Sequence, residues 1–362
     1  MIGGDDIYKV VTAMMPLYVA LVLGYGSVKW WHMFKPDHCN AINRFNCYFI
    51  IPFFTFEFVA HVNPYKMNYR FLSADVIAKS MVGIVLALWA NCSKNGNFSW
   101  SITTFSLSSL NNSLVIGVPL LKAMYGELGF DLVVQSFVIQ SLLWFIALLF
   151  LLEMRRARSQ ILDSQSVNGD AHVSSSVEIE MGRDSEGITS AHVVSESLSF
   201  LPVMKIVWVK LAKNPNSYAC IIGLIWALLS NRWHFQMPEI IEGSILIMSK
   251  AGAGVAMFSM GLFMALQERF IACGVGLTLY GMVLRFVVGP ATIAIGSVAM
   301  GLHGDVLRIA VIQAALPQSI TSFVYAQEYG LHATELSTAV IFGTVASLPL
   351  LIGYYAILDI LH

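Results

Sequence analysis

Charged side chains are scarce in this sequence. Asp, Glu, Lys and Arg make up 12% of its 362 residues, and the formal net charge is −1. So weak a charge provides no basic surface for nucleic acid, and we expect no nucleic-acid partner. Hydrophobic residues reach 57% and the mean hydropathy is +0.69, which indicates a membrane protein rather than a soluble domain.

Motifs for catalysis and metal binding are also missing. The five cysteines form no Cys-x-x-Cys pair, and the nine histidines form no His-Glu-x-x-His motif. The sequence therefore predicts neither a disulfide framework nor a metal site, and no cofactor. Because no nucleophile–base pair stands out either, we expect a protein that is not an enzyme and has no catalytic residues.

Long apolar runs are what the chain has in abundance. About 20 apolar residues span a bilayer as one helix, so we predict an all-α membrane protein with ten transmembrane helices. Their approximate ranges are 7–31, 39–61, 71–91, 100–124, 132–152, 217–231, 240–266, 271–302, 306–329 and 333–360.

The order of these runs predicts the domain organisation. Residues 1–152 form a first five-helix repeat, and residues 214–362 form a second. Between them, residues 153–202 are rich in Ser, Asp and Glu and predict a disordered loop, while 203–213 suit a short helix on the membrane surface. Excess Lys and Arg put the loop in the cytoplasm and both termini on the other side. The repeats are then inverted relative to each other.

The fourth apolar run is interrupted at its centre. Residues 108–120 read SSLNNSLVIGVPL, and Asn111, Asn112 and Ser113 compete there for backbone hydrogen bonds. Within a membrane, a broken helix is tolerated only where protein buries it or where it lines a cavity. We therefore predict a discontinuous helix at a binding site. The alternative at this point is a helix whose two Asn side chains bond a neighbouring helix.

The ninth run contains a matching interruption. Residues 314–329 read AALPQSITSFVYAQEY, in which Pro317 removes a backbone donor and Gln318 follows. A shift of about 204 residues aligns both breaks and the Tyr-Gly pairs after them. Paired interruptions in two halves of a chain indicate the binding site of a secondary transporter. We predict two broken helices that cross near the midplane.

Two crossing broken helices would favour an anion. The N-terminal ends of their second halves each carry about half a positive charge from aligned peptide dipoles, with no formal cation beside them. Asn112 can add an amide donor to a carboxylate, and an apolar lining that includes Phe53 can hold the rest of the ligand. The pattern indicates a small, mostly apolar organic acid.

Ionisable residues within the spans predict a support site. Asp75 and Lys79 lie four residues apart and can pair on one helix face, and Gln140 could complete a polar cluster with them. The ion pair could take part in transport, or it could only stabilise the packing of the helices. The repeat shift carries Lys79 to within two positions of Arg285. No acidic cluster suggests a sodium cage.

Six stretches across both membrane halves carry a more specific pattern. They are residues 12–31, 42–54, 113–126, 213–233, 254–266 and 312–332, for example SLVIGVPLLKAMYG and IQAALPQSITSFVYAQEYGLH. These stretches closely resemble the PIN-FORMED auxin efflux carriers of plants. The loop of about 50 residues resembles that of the short-loop group, which is associated with the endoplasmic reticulum.

The resemblance implies a bile-acid-symporter-like fold, usually a homodimer, that works as an elevator. Spans one, two, six and seven would form the scaffold, and the others would form the moving domain. The substrate would be indole-3-acetate, carried as an anion by uniport from the cytosol into the endoplasmic reticulum lumen or out of the cell. Inhibitors such as naphthylphthalamic acid would compete. A sodium- or proton-coupled organic-anion symporter remains the main alternative, and a non-transporting membrane receptor is another.

Several residues match positions with known roles in that family. Asn112 falls on the substrate-contacting asparagine of the crossover, and Asn216 matches another asparagine implicated in ligand contact. The implied support residues are Asp75, Lys79 and Gln140.

Two positions depart from the family pattern. The family normally has proline where this chain has Asn111, and a second proline near Ser322. Both changes remove a residue that forces a helix to break. The resemblance therefore implies a looser crossover in this chain.

Overall fold

The computed structural model describes residues 4–157, 205–206, 208–209, 212–267 and 273–360. Within these ranges the chain is helical and forms no β-strand. The α-helices are α1 (Gly4–Lys29), α2 (Pro36–Phe45), α3 (Ile51–Ala60), α4 (Tyr69–Cys92), α5 (Phe98–Ser109), α6 (Val118–Ile139), α7 (residues 145–157), α8 (Pro215–Trp233), α9 (Glu239–Lys250), α10 (Gly252–Leu266), α11 (Val275–Val283), α12 (Gly289–Ala299), α13 (Gly304–Ala314), α14 (Ile320–Glu328) and α15 (Ala333–Ile360). Four π-helical segments join some of them: Asn46–Ile50, Ser113–Gly117, Gln140–Trp144 and Leu284–Val288.

Six helices of the described chain are long and apolar enough to cross a membrane. They are Ile7–Lys29, Tyr69–Cys92, Ser113–Ala157, Glu239–Leu266, Val275–Ala299 and Ala333–Ile360. These helices confirm the predicted all-α membrane class, while the count of ten spans stays a prediction.

The helix Ser113–Ala157 is longer than one crossing needs. Its 45 residues are about twice the length that spans a bilayer. Gly126 divides it, because its φ of 63° and ψ of −141° lie outside the helical region. Glycine lacks a Cβ and adopts this conformation without strain. The turn falls between the predicted fourth and fifth spans.

Both predicted interruptions are present. Helix α5 ends at Ser109 and the following π segment starts at Ser113, whereas α13 ends at Ala314 and α14 starts at Ile320. The two gaps meet in space, since Asn111 and Gln318 form an isolated antiparallel bridge. The alternative of one continuous helix through the first run is therefore wrong.

Helix α5 lies at the centre of the molecule. Every residue from Ser101 to Ser109 is buried, although six of the nine are Ser or Thr. Ser108 Oγ donates to Thr104 O within the helix at 2.8 Å, whereas Thr104 Oγ1 pairs with Tyr280 Oη of α11 at 2.9 Å. These polar groups can be buried because they find hydrogen-bond partners within α5 and on neighbouring elements.

Close helix contacts in the surrounding layer depend on glycine. A Cβ on Gly261 of α10 would lie 2.1 Å from Leu21 O of α1, and one on Gly24 of α1 would lie 2.2 Å from Phe258 O. A Cβ on Gly296 of α12 would lie 2.7 Å from Ala74 O of α4. Small residues let the helices of membrane proteins pack backbone to backbone in this way.

The boundary of the predicted loop needs one correction. The loop was expected from residue 153, but α7 continues to residue 157 and Glu153 is buried. The cause is a tertiary contact, because Tyr329 Oη donates to Glu153 Oε1 at 2.5 Å. Residues 158–202 lie outside the described residues. Of the predicted surface helix 203–213, the six residues that are described are helical.

Candidate functional site

The two helix breaks supply hydrogen-bond partners for each other's backbone groups. Asn112 N donates to Pro317 O at 2.9 Å, and Ser319 N donates to Leu110 O at 3.2 Å. A buried break would otherwise leave peptide groups without partners, at a cost of several kcal/mol each in an apolar medium. The crossover is thus a two-residue antiparallel ladder between two interrupted helices.

Asn111 holds this crossover together with both its backbone and its side chain. Its N–H donates to Gln140 Oε1 at 3.2 Å, and its carbonyl accepts from Gln140 Nε2 at 2.7 Å. Its Nδ2 donates to Gln313 O at 2.7 Å, and its Oδ1 accepts from Ser113 Oγ. Proline could make neither the N–H bond nor the side-chain bonds. The break therefore forms here without proline because hydrogen bonds hold it open.

Asn112 differs from its neighbour in having a spare donor. Its carbonyl accepts from Gly117 N at 3.2 Å, but its buried side-chain Nδ2 has no hydrogen-bond partner among the described residues. Buried amide donors are nearly always bonded, so an exception calls for an explanation. A ligand acceptor would satisfy Asn112 Nδ2.

The second break is held by Gln318. This fully buried side chain donates from Nε2 to Ser322 Oγ at 2.6 Å and to Ser106 O at 3.2 Å. Ser322 Oγ in turn donates to Ser319 O at 2.8 Å. The serine that stands where the family has proline thus bonds both the break and the start of α14.

Asp75 and Lys79 form the buried ion pair that their spacing predicts. Lys79 Nζ lies 2.8 Å from Asp75 Oδ1, and Trp144 Nε1 donates to Asp75 Oδ2 at 3.0 Å. Lys79 Nζ also lies 5.8 Å from the centre of the Trp144 ring, within the range of cation–π attraction. Trp144 was missed in the sequence, because nothing in its neighbourhood points to residue 75.

The expected role of Gln140 needs a correction. Its bonds go to the backbone of Asn111 and not to the ion pair. Gln140 and Trp144 are the two ends of one π segment. That segment therefore contacts the crossover at one end and Asp75 at the other, as π segments at functional sites often do.

Arg285 lies at the crossover, a location that its place near the repeat equivalent of Lys79 suggested without defining its contacts. The buried guanidinium donates to Leu110 O at 2.9 Å, to Leu107 O at 3.3 Å and to Ala314 O. These carbonyls lie at the C-terminal ends of α5 and α13, which carry partial negative charge. The expectation of no formal cation beside the crossover is therefore wrong. Its acceptors are far apart in the chain, so no local pattern indicated them.

Gln313 is a second residue that sequence reasoning missed. Its Nε2 donates to Ser113 Oγ at 2.8 Å and to Ser136 Oγ at 3.2 Å. The available signal was an isolated amide one turn before Pro317 in an apolar run. Gln313 ties the end of α13 to both helices that follow the first break.

A small cavity lies against this network. Its volume is about 20 Å³, which is room for about one water molecule. Its lining includes Asp75, Lys79, Asn111, Gln313 and Arg285. The polar groups that line this cavity therefore leave room for little more than water between them.

Comparison with known proteins identifies the family. Residues 9–355 match the family model described as membrane transport protein. The chain belongs to the membrane transport protein family. The chain is similar to auxin efflux carrier component 5 of Arabidopsis thaliana, with 59% identity over 362 residues and 100% of both chains.

Two further members of the family extend this finding. Probable auxin efflux carrier component 5a of Oryza sativa subsp. japonica is 52% identical over 364 residues and 100% of both chains. Auxin efflux carrier component 8 of Arabidopsis thaliana is 39% identical over 367 residues, 99% of this chain and 100% of that one. The resemblance to the short-loop PIN-FORMED carriers is confirmed.

Two predicted ligand contacts lie away from the polar network: Asn216, which the family resemblance implied, and Phe53, which was expected in the apolar lining. Asn216 Oδ1 accepts from the buried Thr55 Oγ1 at 2.5 Å, which joins α8 to α3. Phe53 is 37% exposed and does not line the cavity, whereas the adjacent Phe54 is buried. Contact of Asn216 and Phe53 with a ligand stays a prediction for another conformation of this membrane transport protein.

Proposed function

We propose that this protein carries auxin, as the indole-3-acetate anion, across a membrane. Full-length similarity to proteins named auxin efflux carriers supports the substrate. The structural observation that carries the proposal is the spare amide donor of Asn112 at the crossover. A carboxylate is the acceptor that would bond this donor most strongly.

The polarity of the broken helices supports an anionic ligand. The segments that begin at Ser113 and Ile320 direct their positive N-terminal ends at the crossover. Arg285 offsets the negative C-terminal ends of the first halves. A carboxylate near Asn112 would then lie close to positively charged helix ends, while Arg285 offsets the negatively charged ones.

The indole ring needs more space than the cavity at the crossover offers. A cavity of about 20 Å³ holds a water molecule and not a bicyclic ring. Binding therefore requires the crossover to separate from neighbouring helices. The apolar residues around it, Val115 and Ile116 on one side and Phe53 on another, would line the opened site.

An elevator movement of the crossing helices is part of the proposal. Tyr18 Oη of α1 donates to Thr344 O of α15 at 2.8 Å, and Asn214 Nδ2 donates to Tyr325 Oη of α14 at 2.9 Å. Both contacts join the proposed scaffold to the proposed moving domain. They would break and re-form in each cycle, within a ten-helix, inverted-repeat homodimer.

The buried charges favour uniport, which is transport without a coupling ion. Asp75 is the single acid among the described residues that line the cavity, and both of its oxygens are bonded. A coupling proton or sodium ion would have to displace Lys79 or Trp144 from it. The alternative is a coupled organic-anion symporter of the same fold.

Reconstitution tests this proposal. The purified protein in liposomes should take up labelled indole-3-acetate, and naphthylphthalamic acid should inhibit uptake. Uptake should not change when sodium is removed, or when the proton gradient is dissipated at fixed membrane potential and anion gradient. Uptake that collapses in either case would establish the coupled symporter, and absence of any uptake would remove auxin as the substrate.

We place the protein in the endoplasmic reticulum membrane, with transport from cytosol to lumen. This placement rests on the short loop and on the resemblance to short-loop carriers. Fluorescent fusions should co-localise with an endoplasmic reticulum marker. Fluorescence confined to the plasma membrane would contradict the location and favour efflux from the cell.

A further inference from the structure

The charges buried at the crossover do not balance. Four charged side chains are buried in the described part of the chain: Asp75, Lys79, Glu153 and Arg285. Glu153 lies at the end of α7, where Tyr329 donates to it. The other three line one cavity. Lys79 pairs with Asp75 at 2.8 Å, which leaves the positive charge of Arg285 without a carboxylate among the described lining residues.

These charges are attached to the crossing helices themselves. Arg285 bonds carbonyls at the ends of both α5 and α13. Helix α4, which bears the ion pair, packs against α12 so closely that a Cβ on Gly296 would lie 2.7 Å from Ala74 O. Any movement of the crossover across the membrane would therefore carry one resident positive charge with it.

We propose that this resident charge compensates the carboxylate of the substrate. The inference rests on the proposed transport of an organic anion. When the anion is bound, the crossover cluster of Asp75, Lys79, Arg285 and the ligand is electrically neutral, and when the site is empty this cluster carries one positive charge. The membrane potential then acts on the return of the empty carrier and not on the step that carries substrate.

The charge of the whole cycle is conserved in this scheme. The loaded step moves no charge, and the empty step returns one positive charge to the side from which the anion came. The sum equals the transfer of one anion, as uniport requires. One charge moved through 100 mV shifts an equilibrium by up to about fiftyfold, so the two steps should differ clearly in voltage dependence.

Flux measurements on the native protein test this assignment. Purified protein in liposomes is given a potassium diffusion potential, and labelled auxin is followed in two modes. Exchange with saturating auxin on both sides uses only the loaded step, and its rate should not change with potential. Net flux into auxin-free liposomes includes the empty step and should change severalfold per 100 mV. Voltage-dependent exchange overturns the proposal, and so does net flux that ignores voltage.

A second measurement does not depend on auxin flux. Voltage steps across a membrane that contains the empty protein should produce transient charge movement, and saturating auxin should suppress it. Absence of the transient overturns the proposal. In another outcome, the protein shows the transient but neither binds nor moves auxin. That result would support the resident charge and refute the proposed substrate.

A matched pair of variants locates the charge. Arg285→Gln keeps amide donors for the carbonyls but removes the charge, so exchange should become voltage-dependent and the empty transient should disappear. Lys122→Gln removes an exposed cation that is paired with Glu127 at 3.2 Å and is not among the lining residues of the cavity. It should behave as the native protein does. A native response in folded Arg285→Gln would overturn the assignment to Arg285, and the native measurements decide the scheme if that variant does not fold.

Discussion

The two helix breaks occupy equivalent places in the repeats but use their side chains differently. In the first break, the side chain of Asn111 donates to Gln313 O and accepts from Ser113 Oγ. The Nδ2 of Asn112 has no hydrogen-bond partner among the described residues. In the second break, the Gln318 Nε2 bonds Ser106 and Ser322. No donor like that of Asn112 remains on its amide nitrogen.

The difference separates two roles that a symmetric crossover could have shared. Backbone geometry comes from both breaks equally, because each supplies the hydrogen-bond partners of the other. In the proposed function the donor for a ligand comes from the first break, because the amide nitrogen of Gln318 in the second break is already bonded. Substitutions at the two breaks should therefore have different consequences for ligand affinity and for stability.

The largest effect is expected at the ion pair behind the first break. Lys79→Met leaves the buried Asp75 carboxylate with Trp144 as its remaining described partner, and breaking a buried pair costs about 3–5 kcal/mol. Thermal unfolding in detergent should show a large loss of stability, and auxin flux should fall with it. The charge-swapped variant, Asp75→Lys with Lys79→Asp, should recover part of both. Full stability and flux in Lys79→Met would show that the pair is dispensable.

Asn112→Ala should reduce affinity and leave the fold intact. Its Nδ2 has no described partner to lose, whereas a hydrogen bond to a charged ligand is worth about 1.5–3 kcal/mol. Equilibrium binding of labelled auxin should weaken by about ten- to a hundredfold. The methyl ester of auxin should bind poorly to the native protein for the same reason. Unchanged affinity in Asn112→Ala would place the carboxylate elsewhere.

Asn111→Ala should show the opposite pattern. It removes the side-chain donor to Gln313 O and the acceptor of Ser113 Oγ, and a buried group left unsatisfied costs about 1–3 kcal/mol. The unfolding temperature should drop well below that of Asn112→Ala. If Asn112→Ala proved the less stable of the two, the proposed division between a structural and a ligand-binding asparagine would be wrong.

The smallest effect is expected at the second break. Ser322→Pro restores a family residue at the third position of α14, where a helix does not use the backbone N–H internally. It loses the hydroxyl bonds to Gln318 and Ser319, and the fixed φ of proline offsets part of that loss. The net change in stability should stay within about 1 kcal/mol. A loss as large as that of Asn111→Ala would show that both breaks depend equally on side chains.

Much of this site could be predicted from residue types and spacing. Asn, Ser and Pro in the middle of apolar runs indicated the breaks, because they weaken a helix wherever they occur. Asp75 and Lys79 were predicted to pair because residues four apart share a helix face. Such rules are local, and they work without knowledge of what surrounds the helix.

Other features depended on contacts between distant parts of the chain. The side-chain donor of Asn111 is occupied by the carbonyl of Gln313, 202 residues away, and its backbone is bonded by Gln140, 29 residues away. Glu153 was assigned to a loop by composition, but Tyr329 holds it in a helix. Hydrogen-bond partners at such separations leave no periodic trace in the sequence.

The sequence by itself determined the membrane class, the two breaks and the buried ion pair, since hydrophobicity, helix propensity and i,i+4 spacing act within a few turns of chain. Only the tertiary structure decided the charge and the donor at the crossover. Arg285 reaches carbonyls of two different helices, and Asn112 keeps its amide because neighbours satisfy Asn111 instead. Both outcomes depend on directional bonds of about 3 Å between segments that only folding brings together.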